Sequence, residues 1–184
     1  KDIPVAELKK MQEYIGNSRL HKVRALCFCV DKEHAKFMNA KFTLAGLKTD
    51  VLTSDDNNQH RRIVKQRLQS GAINYLFVVD LFNEGVDIPE IDTVLFLRPT
   101  ESATVFLQQF GRGLRLHKGK DHLTVLDFVG HSRAEFSYKD RFESLIGRHS
   151  RDILTEVKEG FQNAPFGCKI ILEEKAKEEI IANI

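Results

Sequence analysis

Cysteine is scarce in this chain of 184 residues, and its three copies do not form a recognisable site. Cys27 and Cys29 are one residue apart and Cys168 lies far along the chain, so the CxxC pairs of zinc ribbons and dithiol redox centres are missing. An odd number of cysteines also argues against a secreted, disulfide-held domain. We therefore expect reduced, buried thiols in a cytoplasmic protein.

Long apolar runs are also missing. A membrane-spanning helix needs about 18 or more consecutive apolar residues, and the sequence contains no such run. Residues 1–16 lack the apolar centre of a signal peptide, so neither a membrane partner nor export is expected. Because the first residue is Lys1 rather than Met, we expect the chain to be part of a longer protein.

Neither net charge nor ligand motifs single out a partner. The 28 basic and 26 acidic side chains leave a formal charge of +2, which neither requires nor excludes a polyanionic partner. The seven histidines show no HExxH or other paired-ligand spacing, so no metal site is expected. No GxxxxGK[ST] segment occurs, and the chain therefore has no P-loop to hold nucleotide phosphates.

Strand-like and helix-like segments do alternate along most of the sequence. Residues 23–30 predict a strand covered on both faces, and Asp31 can cap a helix from Lys32 to about Leu44. A short strand near residue 50 and a polar-faced helix ending at Gly71 follow. Three more strands of the buried type are predicted in residues 74–80, 92–98 and 123–129. This alternation predicts an α/β domain with a mainly parallel sheet and helices on both faces.

The two ends of the chain differ from this central pattern. Leu8, Met11 and Ile15 recur at helical spacing and predict an amphipathic helix that packs on the domain. From Ser132 onward the sequence predicts a helical appendage, with one strand in residues 168–172. We divide the chain into a leading helix or linker (1–20), a central domain (21–131), a helical extension (132–160) and the start of a further region (161–184).

The stretch "VVDLFNEGVDIPEIDTV" places acidic and turn-forming residues directly after a buried strand. In parallel sheets, functional groups gather at the carboxyl ends of the strands, where Asp80 is expected. Gly85 permits a close backbone approach, Asp87 adds a carboxylate, and Pro89 stiffens the return into the next strand. The stretch therefore predicts a ligand-positioning loop, with a simple strand connection carrying solvated acids as the alternative.

A second cluster lies in "QQFGRGLR", residues 108–115. Gln108, Gly111, Arg112 and Arg115 share one face of a helix. Each glycine inside a helix costs roughly 1 kcal/mol relative to alanine, so Gly111 and Gly113 need another reason to be there. Close approach to a neighbouring element, with two forked guanidinium groups directed at a phosphate, would be such a reason. A surface helix with two solvated arginines is the alternative.

In order and spacing, these segments resemble the C-terminal RecA-like domain of superfamily 2 helicases of the DEAD/DEAH and type III restriction subunit-like kind. Residues 108–115 match the QxxGRxxR box of that family, and residues 80–89 match its strand-D-loop-GxDxP box. Arg61 through Gly71 match a further upstream segment, so the resemblance covers about residues 20–130. The tail is similar to the stretch that follows this domain in a bacterial group with an upstream phospholipase D-like domain.

The resemblance implies a divided ATP site. Arg112 and Arg115 would be arginine fingers that reach the γ-phosphate of ATP, with Gln108 orienting them or the attacking water. The positions implied to face the nucleotide are Gly85, Asp87 and Gly111. ATP and its Mg²⁺ would be held by an N-terminal P-loop RecA-like domain of the same polypeptide, so this chain alone would bind no cofactor and hydrolyse no ATP.

The resemblance also implies nucleic-acid contacts, to DNA or RNA. The implied contact residues are Thr53, Ser54, Arg61, Asp80 and Asn83. Many relatives have Thr before the motif aspartate where this chain has Val79, which leaves main-chain NH groups or Asn83 to make the contact.

The implied function is that of the second motor domain of an ATP-dependent helicase or translocase. A non-catalytic module for nucleic-acid binding or docking, which keeps the RecA-like fold, is the first alternative. An unrelated α/β enzyme that transfers a sugar or a nucleotide is the second.

Overall fold

The structure, a computed structural model, describes residues 3–79, 88–98, 120–128, 138–146, 152–162, 164 and 169–182. They fall into two compact units, one with the described residues up to 128 and one with those from 138 onward. The helices and strands are α1 Ile3–Ile15, α2 Asn17–Leu20, β1 Ala25–Phe28, α3 Lys32–Leu44, β2 Thr49–Leu52, α4 Asn58–Ser70, β3 Tyr75–Val78, β4 Thr93–Phe96, β5 Thr124–Asp127, α5 Tyr138–Ile146, α6 Ile153–Glu159 and α7 Glu174–Ala182. Within these ranges, no helix is both long enough and apolar enough to cross a membrane.

The strands form one sheet in the order β2-β3-β1-β4-β5, and every pairing is parallel, as predicted. The three inner strands β3, β1 and β4 are buried along their whole length, which explains their unbroken apolar sequences. The predicted strand in residues 123–129 exists as β5, but its burial was predicted wrongly. It is an edge strand of alternating exposure, and Val125 is 39% exposed.

Helices α3 and α4 have the predicted bounds because side chains cap their first turns. The Asp31 carboxylate accepts a hydrogen bond from the His34 amide at 2.7 Å. The Asn57 side chain accepts one from the His60 amide at 2.8 Å. Gly71 ends α4 at φ 80°, a left-handed conformation that favours glycine.

The N-terminal helix belongs to the core of the first unit, as its periodicity predicted. Met11 and Ile15 of α1 are buried in the same cluster as Met38 and Phe42 of α3. The Phe42 ring packs edge-on against Tyr75 and Phe77 of β3, with ring centroids 5.3 and 5.1 Å apart. These contacts fix α1 and α3 to the sheet.

The described part of the second unit is helical. Phe142 of α5 lies 4.8 Å from Phe161, which follows α6, and both rings are buried. Lys177 of α7 donates to the carbonyl of Lys158 in α6 at 2.9 Å. The strand predicted for residues 168–172 is wrong over 169–172, which belong to no strand. A strand needs a hydrogen-bonding neighbour, and the described residues of this unit supply only helices.

Candidate functional site

The sheet brings the segments that follow its strands to one edge. Phe28, at the end of β1, is level with Val78 of β3 on one side and Phe96 of β4 on the other. Leu52 of β2 is level with Val78, and Asp127 of β5 with Phe96. The described segments at this carboxyl edge are therefore 29–31, 53–56, 79, 97–98 and 128. In α/β sheets this is the edge where ligands bind.

Three of the predicted site residues lie within the described residues, namely Thr53, Ser54 and Arg61. The others lie outside them: Asp80, Asn83, Gly85, Asp87, Gln108, Gly111, Arg112 and Arg115. Val79, which precedes Asp80, is only 7% exposed and belongs to the hydrophobic core. The side chain at the position where many relatives have Thr is thus apolar and buried.

Residues 53–56 form a turn after β2, and hydrogen bonds to the Asp56 carboxylate hold this turn together. One carboxylate oxygen of Asp56 accepts hydrogen bonds from the Thr53 amide at 2.6 Å and the Thr53 hydroxyl at 3.1 Å. The Asp55 amide in turn donates to the Thr53 hydroxyl oxygen at 3.3 Å. Thr53 is buried and holds the turn together, whereas Ser54 is exposed.

Arg61 of α4 holds the same turn from outside. Its Nε donates to the Asp56 carbonyl at 2.8 Å, and one Nη donates to the Ser54 carbonyl at 3.2 Å. The fork of the guanidinium group suits two carbonyls that face the same side. The expected phosphate contact of Arg61 stays a prediction, but the structure gives this side chain a second task that its sequence position did not indicate.

Lys32, the first residue of α3, connects the turn to the segment that follows β1. Its ammonium lies 2.6 and 2.7 Å from the two carboxylate oxygens of Asp55. The hydrogen bond from Lys32, and then its charge, hold the pKa of Asp55 below the ordinary value. Two cations, Lys32 and Arg61, therefore lie beside the carboxylates of Asp55 and Asp56. Their positive charges reduce the negative potential of the turn around Ser54.

The segment after β1 is ordered in a similar way. The Val30 amide donates to Nδ1 of His34 at 3.3 Å, which places the proton of the neutral ring on Nε2. Burial lowers the pKa of His34, and the charge of Asp31 opposes this shift. The neutral ring therefore accepts a backbone hydrogen bond while Asp31 caps α3.

Glu7 of α1 is a buried acid that the sequence interpretation missed. It is 7% exposed, and among the described residues its Oε2 has no hydrogen-bond partner. Burial raises its pKa to about 7. A signal was present, because Glu7, Met11 and Ile15 stand four residues apart on the buried row of α1.

Cys29, just beyond β1, is not suited to act as a nucleophile. Burial raises the pKa of its thiol to about 12, Arg98 opposes this shift, and the charges of Asp31 and Glu7 add to it. A thiol is reactive as the thiolate, which is absent at such a pKa. Cys27 and Cys29 are free and buried, as expected, and Cys168 lies outside the described residues.

A known protein family matches the part of the chain that contains these motifs. The profile of the family described as "Helicase conserved C-terminal domain" matches residues 6–117, more than half of the chain. The matched range contains the carboxyl-edge segments from β1 to β4 and both sequence boxes, 80–89 and 108–115.

Individual relatives agree with that match. A Saccharomyces cerevisiae protein that bears the name ATP-dependent helicase IRC3 is 38% identical over 130 residues, which is 67% of this chain and 19% of that protein. The chain thus spans about a fifth of the length of this curated relative.

Solved structures show the same fold. The yeast DEAD-box splicing factor Prp28 aligns with 96% of this chain and 34% of its own at a TM-score of 0.66 and 14% identity. Domain 2 of the DEAD-box helicase Mss116p, bound to an RNA duplex, aligns with 98% of this chain and 64% of its own at a TM-score of 0.55 and 17% identity. The predicted RecA-like fold is confirmed.

Proposed function

The chain belongs to the family of helicase conserved C-terminal domains, and on that premise we propose that it is the second motor domain of an ATP-dependent nucleic-acid helicase or translocase. The observation that carries the proposal is the family match over residues 6–117, together with the position of the expected motifs inside it. Because the chain spans only part of its relatives, the P-loop that binds ATP would lie on a preceding RecA-like domain of the same polypeptide.

The chemical role of this domain is to complete the ATP site from the opposite side. When bound, ATP and Mg²⁺ supply the phosphoryl group and part of the charge that must be stabilised during transfer. Arg112 and Arg115 would place guanidinium groups against the γ-phosphate, with Gln108 orienting them or the water. Gly85, Asp87 and Gly111 would face the nucleotide.

The mechanical role is to hold the nucleic acid. Ser54, on the turn fixed by Asp56 and Arg61, is exposed at the carboxyl edge, which supports a phosphate contact at this residue. Thr53, Arg61, Asp80 and Asn83 are the other expected contacts. Opening and closing of the cleft during hydrolysis would then move the two domains along the strand.

We infer a cytoplasmic location from the state of the thiols. Cys27 and Cys29 are both unpaired and buried in or beside β1, which supports a cytoplasmic location with reduced cysteines.

The proposal is tested in the full-length protein that contains this chain and its P-loop domain. Arg112→Ala and Arg115→Ala should each lower nucleic-acid-stimulated ATP hydrolysis by about 10³-fold or more, the range typical of an arginine finger. Lys175→Ala, which removes an exposed cation from α7, is the matched control and should hydrolyse ATP at the wild-type rate. Wild-type rates in both arginine variants would refute the proposal.

A second arm uses this chain alone. Without the P-loop domain it should hydrolyse no ATP, with or without nucleic acid. Hydrolysis by the purified chain that persists after repeated purification would contradict the divided site.

A further inference from the structure

The outer face of α3 carries an apolar row where a surface helix normally is polar. Its inner face consists of Ala35, Met38 and Phe42, all fully buried. On the opposite side, Phe37 is 46% exposed and Leu44 is 82% exposed. Scattered exposed apolar side chains are ordinary, but a row along the outer face of a helix is typical of a binding surface.

The row is continuous along the helix. Phe37, Ala40 and Leu44 stand at intervals of three and four residues, so they lie one above another over two turns. This i, i+3, i+7 arrangement is the one by which helices pack against each other through apolar anchors. The row thus extends over about 10 Å along the helix, since an α-helix rises 1.5 Å per residue.

Lysines flank the row on both sides. Lys36 is exposed on one side, and Lys41 lies on the other with its Nζ 5.5 Å from the centre of the Phe37 ring. The hydrogen bond and the charge of Lys32 are the main causes that lower the pKa of Asp55, and the charge of Lys36 acts in the same direction as the last of the causes. Glu33, which is exposed one turn before Phe37, makes the N-terminal end of this face acidic, whereas the flanks between Phe37 and Leu44 carry the two lysines.

We propose that this face, Phe37, Ala40 and Leu44 with Lys36 and Lys41, docks an acidic amphipathic helix of a partner protein. Apolar anchors of that helix would cover the row, and carboxylates on its flanks would pair with the two lysines. The proposal does not depend on the motor function, because it rests on the exposure and charge of α3 residues and uses none of the expected ATP-facing residues.

The charges distinguish this occupant from two others. A second copy of the chain that docked through the same row would bring lysines against lysines, which is unfavourable. A nucleic acid would pair with the lysines but would leave the apolar row without a partner. An acidic amphipathic helix satisfies both parts of the surface.

The test uses three designed peptides of about 20 residues, enough to form several helical turns. The first has a leucine row flanked by glutamates, the second replaces those glutamates by lysines, and the third has the first composition in scrambled order. We expect the purified chain to bind the first peptide at least tenfold more tightly than the other two, measured by fluorescence anisotropy.

Variants of the chain locate the site. Leu44→Ser should weaken binding of the acidic peptide at least tenfold, whereas Ile63→Ser should leave it unchanged. Ile63 is the matched control because it is 46% exposed, like Phe37, but lies on α4. The double change Lys36→Glu with Lys41→Glu should reverse the preference and favour the lysine peptide, an outcome that loss of folding cannot produce.

Several results would overturn the proposal. These are equal affinity for the acidic and basic peptides, no change with Leu44→Ser, or an unaltered preference in the double lysine variant. In a last experiment, the Leu44→Cys variant of the full-length protein is labelled with a maleimide, and the Ile63→Cys variant is the control. Selective protection of position 44 without any partner would mean that the same polypeptide covers the row.

Discussion

Glu7 departs from the usual rule that ionisable side chains stay exposed to solvent. Its carboxyl shares the buried row of α1 with Met11 and Ile15, and its Oε2 has no hydrogen-bond partner in the part of the chain that the structure describes. A buried acid in this position favours its protonated form, which explains a pKa of about 7.

This shift predicts a pH-dependent stability. The folded chain holds the Glu7 proton up to about pH 7, whereas an unfolded glutamate loses it near pH 4.5. The free energy of unfolding should therefore fall as the pH rises from 4.5 to 7 and stay low above that. Glu7→Gln should remove this slope and raise stability at pH 8 by roughly 3 kcal/mol or less, since each pH unit is worth about 1.4 kcal/mol.

Urea unfolding at pH 5 and pH 8 measures the effect. Glu13→Gln, an exposed change on the same helix, should keep the slope of the wild-type chain. If the free energy of unfolding changed with pH equally in the wild-type chain and in Glu7→Gln, Glu7 would be charged in the folded state.

In the candidate site, the contacts made by individual side chains were the hardest feature to predict from the sequence. The row of Glu7, Met11 and Ile15 could have been recognised from spacing alone. The bonds from Arg61 to the Ser54 and Asp56 carbonyls could not, because they depend on how the turn after β2 folds back onto α4.

Among the elements, α3 has a side-chain cap at its first turn. Asp31 accepts a hydrogen bond from the His34 amide and so satisfies one free donor of the first turn. Asp31→Ala should lower the free energy of unfolding by about 1 kcal/mol, whereas Asp31→Asn, also a good cap, should lower it much less. Thermal unfolding followed by circular dichroism compares the two, and equal losses would mean that the carboxylate charge matters more than the cap.

The turn at residues 53–56 is expected to loosen when Arg61 is removed. Arg61→Ala leaves the Ser54 and Asp56 carbonyls without their guanidinium donor. Amide hydrogen exchange at Thr53 and Asp55 should then accelerate roughly tenfold, the equivalent of one lost hydrogen bond of about 1.4 kcal/mol. Arg62→Ala removes an exposed neighbouring arginine and should leave these amides at their original rates.

Helices were easier to predict than strand environments. Asp31 and Gly71 mark helix ends by local chemistry, and α3 and α4 accordingly have the expected bounds. The burial of β5 and the secondary structure of residues 169–172 depend on which elements pack beside them. The apolar content of a segment does not predict those neighbours.

At the scale of the whole molecule, the residues that form the core of the first unit all precede the C-terminal helices in the sequence. Its buried cluster, with the side chains packed on it, runs from Leu8 to Phe128. A chain that ends at Gly130 should therefore keep cooperative thermal unfolding with strong near-ultraviolet circular dichroism. The domain boundary near residue 131 is still a prediction, and a truncated chain without a cooperative transition would show that the boundary is misplaced.

The position of β1 in the middle of the sheet has a consequence for biosynthesis. Its first partner, β3, begins about 50 residues later in the chain, and β4 later still. At a translation rate of about 5–20 residues per second, β1 leaves the ribosome some 3–10 s before any strand can cover it. The nascent polypeptide therefore passes through an interval in which this apolar strand is accessible to chaperones and to aggregation.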